Sequence, residues 1–172
     1  MNVHVFETDE ELRTLQSLLD ESYEHAGSHL KDIITVNRRL SAEQLCERLQ
    51  GMCLLVVATS TKDGRPLVGP VDSYFLHGSF HFSSGRQSVK MRHLAVRPHA
   101  SAVYLPGEEL SVTVHGDVEL FDVLDAEHAD LRDAMLDHYK PTQGSEFEKW
   151  LVDEDPLGAR INASKIFTFH MA

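Results

Sequence analysis

Between residues 52 and 122 the chain reads as a succession of short apolar runs punctuated by turn residues, with no long amphipathic helix between them. That pattern limits the fold more than any other feature, because parallel βαβ architectures need a helix after nearly every strand. MCLLVVAT at 52–59 is rich in β-branched and aliphatic residues and reads as a strand buried on both faces. Lys62-Asp63-Gly64-Arg65 carries a tight-turn signal and joins it to a second strand at 67–75, so the two form a hairpin. Pro70 inside that second strand marks an edge, a bulge or a ligand-facing break. His77-Gly78-Ser79 turns the chain into a strand at 80–83, and Pro106-Gly107 separates a strand at 100–105 from a long one at 110–122. Within the long strand, Gly116 marks a bulge or a barrel corner. The alternating run KIFTFHM at 165–171 supplies a last strand.

Helices are expected at the margins of this sheet. Residues 8–26 place Leu12, Leu15, Leu18 and Leu19 at helical spacing, with Thr8 as N-cap, Glu11 completing a capping box and Gly27 ending the helix. A second helix at 41–50 is capped by Ser41 with Gln44 three residues on, and Gly51 closes it. A short helix at 88–96 stops before Pro98, and an amphipathic helix at 125–139 closes before Pro141. Phe147, Trp150 and Leu151 form a helical packing face, and residues 153–156 read as a solvated loop. Six hairpin-linked strands are most economically closed into a small antiparallel barrel, since closure removes exposed edges. The fold class is therefore mainly β with flanking helices (α+β), a six-stranded antiparallel barrel in a single domain spanning 1–172. Its parts are N-terminal helices at 1–51, a barrel core at 52–122, a helical segment at 123–160 and a last strand at 161–172.

The first residues show no basic stretch followed by an apolar core, and no apolar run approaches the roughly 18 residues of a membrane span. A cytoplasmic location is the expectation. Cys46 and Cys53 match neither a zinc spacing nor a disulfide framework, and both read as reduced, buried side chains. A net charge of −11 disfavours nucleic acid and anionic membrane as partners, because both recruit a surplus of Lys and Arg. One stretch departs from this acidity. Although the chain carries 27 acidic residues, none falls between Asp72 and Glu108, where Arg86, Lys90, Arg92 and Arg97 are found.

Residues 80–105 carry the chemistry. A strand, a Ser-Ser-Gly-Arg turn and a helix start set Ser84, Arg86, Ser88 and Lys90 around a helix N-terminus, whose free N–H groups and positive dipole end attract anions. Two hydroxyls, a guanidinium and an ammonium there suit a phosphate monoester. Read blandly, Ser88 is a simple helix cap and the basic residues a solvated helix face; the missing acids weigh against that reading, because exposed Lys and Arg are ordinarily interspersed with carboxylates.

From 52 to 122 the sequence resembles the pyridoxamine 5'-phosphate oxidase-like, FMN-binding split-barrel family. The resemblance runs in order through Asp63-Gly64-Arg65-Pro66, Gly69-Pro70-Val71, Phe82-Ser83-Ser84, Ser88-Val89-Lys90, Arg97-Pro98 and Val114-His115-Gly116-Asp117-Val118. It implies a homodimer with the FMN in a cleft between two subunits. It places Ser83, Ser84, Arg86, Ser88 and Lys90 at the ribityl phosphate, Val68, Gly69, Pro70 and Val71 beside the isoalloxazine ring, and Ser111 facing the cofactor from the other side. Members that oxidise pyridoxamine phosphate carry an arginine in the second strand, a second basic residue at the helix start and a C-terminal signature rich in Trp and Arg. Here Val68, Val89 and the tail Phe169-His170-Met171-Ala172 stand in their place, so the resemblance implies the cofactor site and leaves the small-molecule substrate open.

The expected activity is that of an FMN-binding oxidoreductase, with no side chain assigned as catalytic and no metal. Two alternatives remain open. An 8-hydroxy-5-deazaflavin would use a longer basic groove containing Arg92 and Arg97. A non-catalytic flavin or haem storage protein would use the same pocket, with His170 as a haem ligand. His25 and His29 do not make a zinc site, because Gly27 interrupts the helix between them, and His81 reads as an outward-facing strand residue.

Overall fold

The computed structural model describes residues 6–171. Residues 1–5, on which part of the leader expectation rests, and Ala172 of the expected tail lie outside it. Six antiparallel strands, β1 (Met52–Ser60), β2 (Pro66–Leu76), β3 (Ser79–Ser84), β4 (His99–Gly107), β5 (Leu110–Asp122) and β6 (Leu157–His170), close into a barrel in the order β1-β2-β3-β6-β5-β4. The β1–β2 and β2–β3 connections are hairpins, and the second uses the two-residue turn His77-Gly78 with both φ angles positive, 52° and 72°. Positive φ at both central residues is the mirror-image turn whose twist matches that of the flanking strands.

Both capping boxes form as the sequence predicts. Thr8 caps α1 (Asp9–Glu24) and Ser41 caps α3 (Ala42–Arg48), each in reciprocal hydrogen bonds with Glu11 and Gln44. Between them lies a short α2 (Ser28–Ile33) that the sequence pattern did not reveal. The apolar faces of α1 and α3, through Leu15, Leu19, Leu45 and Leu49, join the same core as Leu55, Val57, Phe80, Phe82, Val112 and Ile166 of the barrel.

The barrel is split along β6. Its first residues pair with β3 and its whole length pairs with β5, so beyond Arg160 one edge has no strand partner. A buried edge with free N–H groups is costly, and α1 satisfies it with side chains. Ile166 donates its N–H to Ser22 Oγ at 3.0 Å, Thr168 donates its N–H to the Tyr23 hydroxyl at 2.8 Å, and that hydroxyl donates to the Thr168 carbonyl.

Four expectations need correction. β1 is not buried on both faces: Cys53, Leu55 and Val57 point inward, whereas Leu54 on the outer face is 54% exposed. β6 begins at Leu157, eight residues before the expected 165, because Gly158, Ala159 and Ala163 in its first half carry little hydrophobic signal and mask the alternation. Gly158 is required there, since a Cβ would lie 2.2 Å from the Phe121 ring. Pro141 does not end the helix before it: α5 (Ala129–Gln143) carries it in its last turn and stops at Gly144, whose φ is positive. Residues 153–156 are not simply a solvated loop, since α6 (Ser145–Glu154) extends into them and Asp155 ends it in the left-handed conformation. On the outer face of β2, Tyr74 and Leu76 form a second core with Val123, Leu131, Met135, Phe147 and Leu151, so two of the three residues of the expected α6 packing face are buried, while Trp150 stacks on Phe147 and stays 44% exposed.

Candidate functional site

The serine-rich turn follows β3 directly. Ser83 and Ser84 pair across to Gly158 and Leu157 of β6, and the chain then turns into α4 (Val89–Val96). Ser88 is the N-cap of α4, accepting from the Met91 N–H at 3.3 Å, and the Ser84 hydroxyl donates to Ser88 Oγ at 3.1 Å. Met91 and Leu94 anchor the helix in the barrel core, so its N-terminal turn is held on a rigid frame. Thr59 Oγ1 and His93 Nδ1, 3.0 Å apart, and Arg97, which donates to the Ser60 carbonyl at 2.8 Å, fasten α4 to β1.

Lys90 extends from this helix onto β2. Its Nζ lies 3.3 Å from where a Cβ of Gly69 would be, a close approach that glycine in a strand permits. Lys90 is half-buried, and burial pulls its pKa below the ordinary lysine value. Among the described residues no carboxylate forms an ion pair with it. A partly desolvated ammonium unpaired among the described residues, carried by the first turn of a helix whose N-terminus bears two hydroxyls, is a set of donors suited to a negative partner.

The four residues of β2 divide between two faces. Gly69 and Val71 lie opposite Val57 and Leu55 and face the barrel, while Val68 and Pro70 face outward. Val68, 69% exposed, shares the outer surface with Leu54, Val56 and, on β4, Leu105, which is 60% exposed. These side chains make a contiguous apolar strip of the kind that marks an interaction surface.

Arg86, in the same turn, has partners of its own. Its Nε donates to the Asp155 carbonyl at 2.8 Å, and its Nη2 donates to Asp155 Oδ2 at 2.9 Å and to Asp122 Oδ1. Two carboxylates from the end of β5 and the α6–β6 turn thus neutralise the charge that the sequence pattern assigns to an anion. Neither Asp122 nor Asp155 is close to Arg86 in sequence, so no local signal announces the pairing. Ser111 stands apart. It alternates with the core residues Leu110 and Val112 and points outward from β5, three strands from β2 in either direction round the barrel. In one chain it cannot reach the Val68–Pro70 surface.

Five cavities, of about 270 to 530 Å³, are lined by other residues than Ser84, Ser88 and Lys90. One chain supplies a cradle and an apolar strip, and the cradle is open. His81 points outward from β3, as its position in the strand predicts, but is only 7% exposed beneath the segment carrying Phe121 and His128. Burial drives its pKa down to about 4, and Nδ1 meets the Ser79 carbonyl at 3.0 Å, so it is a neutral packing residue. His170 sits at the end of β6 with its Nδ1 3.2 Å from the Met171 carbonyl.

Residues 41–164, which include the turn, the cradle and all of β1–β5, match the family model described as pyridoxamine 5'-phosphate oxidase. The chain belongs to the pyridoxamine 5'-phosphate oxidase family. Solved structures with the same split barrel include a conserved hypothetical protein of Mycobacterium tuberculosis, at 17% identity, 79% coverage of this chain, 88% of the other and a TM-score of 0.64. The haem storage protein HutZ of Vibrio cholerae aligns at 17% identity over 77% and 94% of the two chains, with a TM-score of 0.61. General stress protein 26 of Bacillus anthracis aligns at 17% identity over 70% and 87%, with a TM-score of 0.52. No protein of curated function matches the sequence. Among the described residues no helix is long and apolar enough to cross a membrane, and no cluster of three potential metal ligands occurs.

Proposed function

We propose that this member of the pyridoxamine 5'-phosphate oxidase family binds FMN and acts as an oxidoreductase on a small molecule. The observation that carries the reading is the Lys90 ammonium, unpaired among the described residues and 3.3 Å from where a Cβ of Gly69 would be, on the helix whose N-cap Ser88 accepts from the Ser84 hydroxyl. These groups fit a phosphate monoester: Lys90 gives charge, the two serines and the first N–H groups of α4 give hydrogen bonds, and Ser83 stands next in line. Arg86, neutralised by Asp122 and Asp155, contributes rigidity to the turn through those contacts and little net charge. Val68 and Pro70 offer an apolar wall to the ring, with Gly69 and Val71 forming the backbone behind it. The flavin, when bound, supplies the electron or hydride transfer, and the protein's part is to hold and orient it.

Dimerisation completes the site in this reading. The exposed strip of Leu54, Val56, Val68 and Leu105 is the surface we assign to a second copy, and Ser111 reaches the cofactor only from the partner chain. Cys46 and Cys53 are buried free thiols, and burial raises Cys53 to about 11, which suits a reducing cytoplasm.

The test is an absorption spectrum of freshly purified protein followed by FMN titration of Lys90→Ala. The expected results are a flavin spectrum and a loss of affinity of about ten- to a hundredfold, the equivalent of about 1.5 to 3 kcal/mol for one charge-assisted contact. A haem Soret band, a deazaflavin spectrum, or an unchanged FMN affinity in Lys90→Ala would overturn the reading.

A further inference from the structure

A run of stacked aromatic rings leads from the outer face of β2 to the protein surface. The Tyr139 hydroxyl, on α5, donates to the carboxylate of Asp72. Tyr139 stacks on Phe147 with centroids 4.4 Å apart and planes 26° from parallel, and Phe147 stacks on Trp150 at 5.4 Å and 23°. Phe147 is buried, whereas Trp150, the sole tryptophan of the chain, stays exposed.

Packing accounts for Phe147, which belongs to the core between β2, α5 and α6, but not for the two ends of the run. At the outer end a large indole remains in solvent. At the inner end stands Asp72, a carboxylate with no cationic partner among the described residues. It shares the outer face of β2 with Val68 and Pro70 and pairs with Leu54, so it borders the apolar strip. Indole and phenol side chains can each give up a single electron. A phenol does so readily only when its proton has a base to go to, and Tyr139 has that base in Asp72. Tyr74, in the same core, has none: its hydroxyl is buried without a hydrogen-bond partner among the described residues, and burial raises its pKa.

We propose that Trp150, Phe147 and Tyr139 form a one-electron relay that carries an oxidising equivalent from the surface to the Tyr139–Asp72 pair. A radical oxidant in solution takes an electron from Trp150, and the indole loses its N–H proton to water. Tyr139 then gives an electron across the Phe147 ring to the indolyl radical, which regains a proton from water, while the phenolic proton of Tyr139 passes to Asp72. The net result is an intact Trp150, a phenoxyl radical at Tyr139 and a protonated Asp72. The relay ends beside the strip, but the transfer uses only side chains of this chain, so it does not rest on the FMN reading.

The experiment is pulse radiolysis of the full chain with the azide radical, which oxidises tryptophan selectively and is itself reduced to azide. The indolyl absorption is expected to decay in a first-order step, at a rate independent of protein concentration, while the phenoxyl absorption grows in its place. Tyr139→Phe abolishes that growth and Tyr74→Phe leaves it as it was. Asp72→Asn slows the transfer and makes its rate climb with pH, because solvent bases must then take the proton. Phe147→Leu, which keeps the core filled, also slows it, with the circular dichroism unchanged. Lys90→Ala leaves the transfer at the wild-type rate, so a failed cofactor site and a failed relay are read separately. Indolyl decay without phenoxyl growth, a rate proportional to protein concentration, growth that survives Tyr139→Phe, or a rate indifferent to Asp72→Asn would overturn the proposal.

Discussion

His77 offers the sharpest test of how the helices are fastened to the barrel. It occupies the β2–β3 turn with a φ of 52°, and its ring spans two elements: Nδ1 lies 3.1 Å from Glu11 of α1 and Nε2 lies 2.9 Å from Asp130 of α5. Both nitrogens donate only when the ring is protonated. Burial by itself lowers the pKa of His77, but the hydrogen bonds and charges of Asp130 and Glu11 outweigh it and raise the pKa above the ordinary value. A folded pKa above the unfolded one adds stability that is complete below about 6.5, the unfolded value, and is lost as pH rises through the folded pKa.

The substitution His77→Asn separates two opposing effects. It removes both contacts, each a third or more exposed and therefore worth about 0.2 to 1 kcal/mol after solvent screening, for a combined loss of about 0.5 to 2 kcal/mol. It also places asparagine before Gly78, the dipeptide that this type of turn favours, with a gain of a few tenths of a kcal/mol. At about pH 6 the lost contacts dominate, and the melting temperature should fall by about 1 to 6 °C for a chain of this length. As pH rises through this raised pKa, wild-type His77 loses its proton, the two contacts shrink to one hydrogen bond, and the variant should equal or exceed the wild type. Thermal unfolding of both proteins across this range gives two curves that cross. A stability difference that stays constant with pH would refute the idea that a protonated His77 joins the two helices.

Two other perturbations follow from the geometry. Gly116→Ala places a Cβ 2.1 Å from the Asn162 carbonyl oxygen at the bulge where Ser164 loses its partner, so urea unfolding should show a loss of about 1 to 3 kcal/mol or more; a loss of a few tenths would contradict the register. For the proposed homodimer, wild type should sediment as a dimer, and Leu54→Glu with Val68→Glu, which puts charge into the exposed strip while touching no core residue, as a monomer with unchanged secondary structure; a persisting dimer would place the interface elsewhere.

Much of the framework was legible locally, because its signals lie within a few residues of each other. Thr8 with Glu11, Ser41 with Gln44, the Asp63-Gly64 and His77-Gly78 turns, and Ser88 before α4 each fix a boundary through one hydrogen bond or one φ angle. The bulge at Gly116 was legible for the same reason. The first half of β6 was not, since Gly158 and Ala159 carry little hydrophobic signal and are selected by contact with Phe121, almost forty residues away. β1 misled in the opposite sense, because an aliphatic run looks the same whether its second face meets protein or solvent.

The cradle shows where local reading ends. Ser84 and Ser88 come together because one turn suffices to align them, an alignment written in the order of residues, whereas the approach of Lys90 to Gly69 needs β2 folded against α4. Arg86 looks equivalent in the sequence. Only the closure of the barrel brings Asp122 and Asp155 to its guanidinium, and only the strand order sets Ser111 on the opposite side from Val68. Turns, caps and the strands with a clear apolar alternation follow from neighbours along the chain; which charges stay unpaired, which apolar face stays open and where β6 begins depend on residues that meet only after folding.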